Sequence, residues 1–348
     1  MSRVARVVAG VLVGTAIFAA SGEILARALG IVDRLNGYSR LIFTVGPDAA
    51  LPYCLRPGVR TRWVGIDVRV NQFGLRGPEI AAAPAPGTAR VLVLGDSVVF
   101  GQGVPEPQTL TAVLERTLNE RGAARWEVLN AGVQGYDTVA EARFLAAFGL
   151  ALGPQRVVVG MSLNDFDSAP AFHPVGVLTH AGAAGGRSFL ARSEFALLLQ
   201  WLASWARGTL WQQVYAQPAS DGVGAGAAQA LAAAVARKHL GFYAAPAPRR
   251  WKRLRGALAD LRDQCGSAGV PLLVAIFPES YQVGVPDPDL TPQQRLAGLC
   301  DELALRCLDL HGAFAAADGD LFDDVSHPNA AGQAVAAAAI AAALSDER

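Results

Sequence analysis

The chain has 348 residues, enough for one large domain or two of ordinary size. Its 30 basic and 30 acidic side chains cancel, and 52% of the residues are hydrophobic. A core is easy to bury, and nothing in the charge balance draws the protein toward nucleic acid or anionic surfaces in general. The four cysteines (Cys54, Cys265, Cys300 and Cys307) form no C-x-x-C pair, which argues against a zinc knuckle or thioredoxin-like site. In an exported domain one or two disulfides are open, with no pairing fixed by spacing. Four small buried hydrophobes is the favoured reading.

Residues 1–32 read as an N-terminal signal anchor, a single transmembrane helix. Arg3 and Arg6 precede an uncharged stretch from Val7 to Ala20, and apolar character resumes after Glu23. The uninterrupted run falls between a signal-peptide core and the roughly 20 residues of a full span. Ala19-Ala20-Ser21 only partly matches a cleavage site, so the alternative is secretion after signal cleavage. Arg27, Arg34 and Arg40 follow the helix and weaken any charge-based orientation.

Residues 33–89 read as a connecting region. Trp63 to Val70 alternates like a strand or hairpin arm, and the Pro-rich stretch 81–87 reads as a loop or linker. From Arg90 the pattern changes. Val91-Leu92-Val93-Leu94 is a buried strand ending at Gly95. A helix is expected over 108–120, and a strand at Glu127-Val128-Leu129. Thr138 with Glu141 makes a capping-box signature for a helix to about Leu152. Further strands are expected at 156–159, 271–277 and 307–310. Helices are expected at 248–268, 292–305 (capped by Thr291, with Pro292 first) and 329–344. Alternating strands and helices imply a parallel sheet with helices on both faces, and ligands bind beyond the carboxyl ends of such strands. Residues 166–247 interrupt the alternation as a mostly helical insertion. Its apolar stretch 195–211 is too short for a second span.

Chemistry-bearing residues follow the expected strands. Gly95-Asp96-Ser97 sits in the turn after the first. Asn130-Ala131-Gly132-Val133-Gln134-Gly135 follows the second, its glycines allowing the close backbone approach that an oxyanion donor requires. Gly160-Met161-Ser162-Leu163-Asn164-Asp165 follows the third, and an Asn side chain there can donate to the same oxyanion. Near the C-terminus, Asp324 precedes His327 by three residues, close enough to orient its imidazole. His327 is one of five histidines and a candidate general base for Ser97.

These four strings, in this order, resemble the sequence blocks of the SGNH (GDSL-type) hydrolases, over about residues 90–345 with the insertion skipped. The resemblance implies a three-layer α/β fold, a doubly wound parallel sheet of flavodoxin-like type, in a hydrolase domain of residues 90–348. It implies Ser97 as nucleophile with Asp324 and His327 completing the triad. The oxyanion hole would be the Ser97 and Gly135 N–H groups and the Asn164 side chain. It implies hydrolysis of acyl esters, with no cofactor or metal. The residue after Ser97 is Val98 where the family string has Leu, and the third block is longer than the compact Gly-x-Asn-Asp, which leaves Gly160 without a role.

The expected activity is that of a serine esterase on short-chain, O-acetyl-type esters carried by a glycan or lipid. An O-acyltransferase acting on an exported polysaccharide would use the same residues, with a sugar hydroxyl in place of water. A non-catalytic binding module on the same scaffold is the third reading. The expected location is the bacterial inner membrane, single-pass, with the catalytic domain periplasmic; no nucleic-acid partner is expected. A metal site and two further functional readings find no support in the sequence. Asp323, Asp324 and His327 lack the second ligand cluster that a metal site needs. The basic run 249–255 reads as a solvated helix face. Trp201, Trp205 and Trp211 read as core.

Overall fold

A computed structural model of the chain describes residues 2–30, 42–47, 51, 53–63, 65–122, 125–166, 193–196, 198–199, 202 and 225–345. The chain divides into two compact units, residues 1–53 with 173–216, and residues 54–172 with 217–348.

The first unit is built on α1 (Arg3–Leu29), capped by the Ser2 hydroxyl at its start and by Gly30 in the left-handed region at its end. Residues 31 and 32 of the expected anchor lie outside the described residues. Over Ala5–Leu29 the mean hydropathy reaches 1.9 within one 18-residue window, and this is the one described helix long and apolar enough to cross a membrane. Val11, Leu12, Ile17 and Phe18 are all exposed. Glu23, the charge that interrupts the apolar run, is satisfied locally. It accepts from Arg27 Nε (2.6 Å), Ser193 Oγ (2.7 Å) and the backbone N–H groups of Phe195 (3.0 Å) and Glu194 (3.2 Å). The Phe195 ring covers Gly22, where a Cβ would strike it, and meets Phe18 edge-on at 5.4 Å. The start of the insertion's apolar stretch is thus tied to α1. Trp201, Trp205 and Trp211 lie outside the described residues. The short strands β1 (Phe43–Val45) and β2 (Tyr53–Leu55) come next along the chain.

The second unit opens with an antiparallel hairpin, β3 (Arg60–Trp63) and β4 (Ile66–Arg69). Its core is a five-stranded parallel sheet of β5 (Thr88–Gly95), β6 (Arg125–Gly132), β7 (Arg156–Met161), β8 (Leu272–Ile276) and β9 (Arg306–Asp309), in spatial order β6-β5-β7-β8-β9. This is the doubly wound arrangement expected from the sequence, with the strand order reversing between β5 and β7. Residues 91–94 are fully buried, as both faces of such a strand require. On one face, Val91 and Val93 share a core with Leu110, Leu114 and Leu118 of α3 (Leu110–Arg121) and the alanine face of the C-terminal helix, residues 330–345. Each such buried aliphatic contributes about 1.5–3 kcal/mol. Elsewhere in the unit, α4 (Thr138–Phe144), continued through a π turn and a 3₁₀ turn to Leu152, packs on α6 (Pro248–Ala268). Between β5 and α3 lies the one-turn helix α2 (Ser97–Phe100). The remaining helices are α5 (Ala225–Ala244), α7 (Thr291–Glu302), α8 (His311–Ala315) and α9 (Ala330–Ser345).

Several local expectations change. The cap of α4 is Asp137, whose carboxylate accepts from Ala140 N at 2.9 Å. Thr138 is the first helical residue, and Glu141 is buried instead of reaching back over the end. A carboxylate at the cap is the stronger acceptor, and it shifts the start by one residue. Thr291 likewise lies inside α7, whose cap position is Leu290; the Thr291 N–H is taken by Asp289 Oδ1 at 2.9 Å. Cys300 on α7 and Cys307 on β9 form a disulfide, so the reading of four unlinked buried cysteines does not hold. Cys265 is buried and Cys54 half-buried. The Pro-rich stretch 81–87 is pinned. Buried Arg90 donates to the carbonyls of Ala81, Ala82 and Leu152 and pairs with Glu127 at 2.7 Å.

Candidate active site

Three glycines at the strand ends make room for the nucleophile turn. Gly95 of β5 is in register with Gly132 of β6 on one side and Gly160 of β7 on the other. A Cβ on Gly95 or Gly160 would collide with the Val99 side chain, and one on Gly132 with the backbone of Val99 and Phe100. Bare backbone across three adjacent strands lets α2 rest directly on the sheet edge. Gly160 therefore has a packing role that its motif position alone did not suggest.

The backbone of α2 is satisfied by side chains from distant parts of the chain. A helix end leaves carbonyls without intrahelical partners. Here the Val98 carbonyl accepts from Gln333 Nε2 (2.9 Å) and the Val99 carbonyl from Asn130 Nδ2 (2.9 Å). Arg76 Nη1 donates to Phe100 O (2.5 Å) and Gly101 O (2.7 Å), and its Nη2 to Val104 O (2.6 Å). Arg76 is buried, lies over the Phe100 ring, and is lowered to about 10 by burial, against the pull of Glu106. At the other end, Asp96 caps α2 through Val98 N (2.8 Å) and accepts from Ser162 Oγ (3.0 Å). Asp96 is fully buried and its carboxyl is raised by that burial, with hydrogen bonds from Val98, Ser162 and Asn164 pulling the other way.

The candidate base arrives on the loop between α8 and α9. Ser97 Oγ lies 2.8 Å from His327 Nε2, and His327 Nδ1 lies 2.7 Å and 2.9 Å from the two oxygens of Asp324. The backbone N–H groups of Ser326 (2.8 Å) and His327 (2.9 Å) also donate to Asp324 Oδ1. A proton on Nδ1, donated to Asp324, leaves Nε2 free to accept the Ser97 hydroxyl proton. Burial favours the neutral imidazole, but the Asp324 charge and hydrogen bond, then Asp96 and Asp323, outweigh it and raise His327 above the usual range. For Asp324, desolvation pulls upward, while the His327 charge and the hydrogen bonds from residues 326 and 327 hold it below the usual carboxylate range.

The other expected site residues lie on neighbouring strand exits. Gly135 is in the left-handed region (φ 73°), where a side chain would be strained. Its turn is tied to β5 by the Val133 N–H, which donates to Gly95 O at 3.0 Å. The Asn164 side chain hydrogen-bonds Asp96, and its Oδ1 is buried without a partner among the described residues. An amide nitrogen carries two protons, so the bond to Asp96 leaves one for an incoming oxygen. Below this edge Glu141 and Asp165 are both buried. Desolvation first, then the neighbouring carboxylates, raise both well above the usual range and favour their protonated forms. Asp96, Ser162, Arg76, Gln333, Glu141 and Asp165 were not singled out for the site from sequence. Asp96 lies in the Gly-Asp-Ser string, Ser162 and Asp165 in the string after the third strand, and Glu141 in a helix-capping pattern; Arg76 and Gln333 carry no local signal.

Residues 93–335 match the model of the GDSL-like Lipase/Acylhydrolase family. No curated protein matches the sequence. Solved structures similar to this chain include LAE5, an alpha/beta hydrolase enzyme from a Lake Arreo metagenome (14% identity, 74% of this chain and 95% of that one, TM-score 0.44). A lipase/acylhydrolase from Enterococcus faecalis is similar at 15% identity (74% and 96% covered, TM-score 0.41). The esterase EstA from Pseudoalteromonas sp. is similar at 12% identity (74% and 97% covered, TM-score 0.40). With most of its length matched by the family model, the chain belongs to the GDSL-like lipase/acylhydrolase family and is an ester-hydrolysing enzyme of α/β fold.

Proposed function

We propose that the enzyme is a serine esterase in which Ser97 is the nucleophile, His327 the general base and Asp324 its orienting carboxylate. The observation that carries this reading is the unbroken hydrogen-bonded line from Ser97 Oγ through the His327 ring to Asp324, at 2.8 Å and 2.7 Å. In the first step Ser97 Oγ bonds to the acyl carbon while its proton passes to His327 Nε2. The carbonyl oxygen becomes an oxyanion held by the Ser97 and Gly135 N–H groups and Asn164 Nδ2. The ester C–O bond then breaks, and the leaving alkoxide takes the proton from His327. Water repeats the sequence in reverse, giving up its proton to His327, and the acid is released as Ser97 recovers its hydrogen. Asp324 stabilises the imidazolium in both halves.

The acyl group is expected to be short, of O-acetyl type, on a glycan or lipid carrier. The placement is an anchored enzyme whose catalytic unit faces an exported compartment. An apolar α1 supports the tether, and the Cys300–Cys307 disulfide supports an oxidising compartment. Turnover of aryl acetates by the full-length enzyme in detergent should vanish in Ser97→Ala. Near wild-type turnover in that variant would sink the nucleophile assignment. Parallel assays on O-acetylated glycan and on lipid ester assign the carrier.

A further inference from the structure

A second buried polar group meets the base-bearing loop from behind. Glu279 follows β8 by three residues, and its carboxylate is almost fully buried. It accepts the Ser326 hydroxyl proton at 2.7 Å. His239 Nδ1, on α5 at the end of the insertion, lies 2.9 Å from both Glu279 oxygens. Burying a carboxylate is costly unless donors surround it, and here two side chains are committed to it. The Tyr281 phenol beside it is held well above the usual tyrosine range, by burial first and then by the Glu279 charge.

Ser326 is the residue between the two ends of the acid–base pair. Its N–H donates to Asp324 Oδ1, and the next residue is His327. A second bond runs parallel to the first, from Ser280 N–H to Val325 O at 2.8 Å. The exit of β8 therefore holds the loop at two consecutive residues, one through a side chain and one through backbone. His239 also meets Phe166 edge-on at 5.7 Å, and Phe166 stacks on Phe242 at 3.8 Å. Phe166 lies two residues past Asn164, so one histidine of the insertion touches both the strap behind the base and the loop of the proposed oxyanion donor.

We propose that Glu279 is a positioning residue for the His327–Asp324 pair, acting through Ser326 and itself held by His239. The proposal rests on the assignment of Ser97 and His327 above. Its physical content is geometric. The loop is closed on itself by one isolated antiparallel bridge, Phe322 to Pro328, with Asp323 N–H donating to His327 O at 2.9 Å. The Ser326–Glu279 bond adds a side-chain anchor from outside it, and the Ser97–His327 contact tolerates little displacement before proton transfer fails. A shift of about 1 Å in such a contact costs on the order of a hundredfold. The insertion thereby gains a part in catalysis that needs no contact with substrate.

The test uses full-length enzyme in detergent, with aryl acetate turnover, the rate of fluorophosphonate labelling and the melting temperature read together. Ser326→Ala removes the hydroxyl at a half-buried position, and we expect it to fold. We expect kcat per labelled site to fall roughly tenfold to a hundredfold with KM unchanged. Labelling should slow in proportion. Ser326→Thr, which restores the hydroxyl, should recover most of the loss. Glu279→Gln keeps an acceptor for Ser326 but not the charge facing His239, and should fall between. A Ser326→Ala enzyme that labels and turns over at the wild-type rate per site would overturn the proposal. So would equal losses in Ser326→Ala and Ser326→Thr. If the wild-type protein itself fails to label at Ser97, the underlying assignment fails instead, which separates the two outcomes.

Discussion

The two halves of the candidate site are held in place by different physics. The Ser97 side is a packing solution: three glycines in register, Val99 seated on them, and the Val98, Val99 and Phe100 carbonyls taken by buried side-chain donors. The His327 side is a polar solution, an irregular loop strapped by hydrogen bonds to Asp324, to Glu279 and to the β8 exit. Packing resists small changes by steric necessity, while a polar strap can lose one bond and leave the fold standing. Substitutions on the first side should therefore cost stability and activity together, and on the second side activity alone.

The largest expected effect is His327→Ala. It should lower kcat by about 10⁶ with the melting temperature little changed, and a steady-state assay beside a thermal melt checks both. Asn164→Ala should lower kcat by about 10²–10³ with KM nearly unchanged, the signature of a group that acts on the oxyanion. Gly132→Ala should cost about 1–3 kcal/mol by forcing α2 off the sheet edge, and lose activity in parallel; denaturant unfolding measures the first. If Gly132→Ala is inactive yet as stable as wild type, the contrast between the halves breaks.

The pH profile sharpens the polar half. The base must be neutral to accept the Ser97 proton. His327 is raised by Asp324 despite burial, so kcat/KM should fall on the acid side at a pH above the ordinary imidazole range. Asp324→Asn removes the largest raising influence, and its acid limb should move to lower pH while kcat falls by about 10⁴. An unmoved limb would detach Asp324 from His327. The smallest effect is expected far from both halves. The exposed pair Arg255–Glu302 joins α6 to α7, and Glu302→Gln should change stability by no more than about 1 kcal/mol.

The same contrast explains what could be read before the fold was seen. The sheet was legible because most of its strands are short apolar runs, the first three carrying a glycine at or next to their ends, and α6 because its amphipathic pattern is long and starts at a proline. Ser97 and Asn164 are candidates from sequence because each sits in a local string just past a strand, and the Asp324–His327 pair because its members stand three residues apart. Their supports are not. Arg76, Gln333, Glu279 and His239 reach the site from regions that read as connector, C-terminal helix, strand exit and insertion. A single buried polar residue in such a region has no periodicity to mark it. The Asp137 cap is hidden for a related reason, since Thr138 and Glu141 satisfy the same local pattern one residue later and only packing decides between them.

The central claim is that Ser97 is a nucleophile activated by His327. Mapping the site of fluorophosphonate modification on full-length enzyme tests it most directly. The account predicts one adduct, on Ser97, formed in proportion to loss of esterase activity and greatly slowed in His327→Ala. Full inactivation with the adduct on another residue, or an unmodified Ser97 in inactivated enzyme, would contradict it.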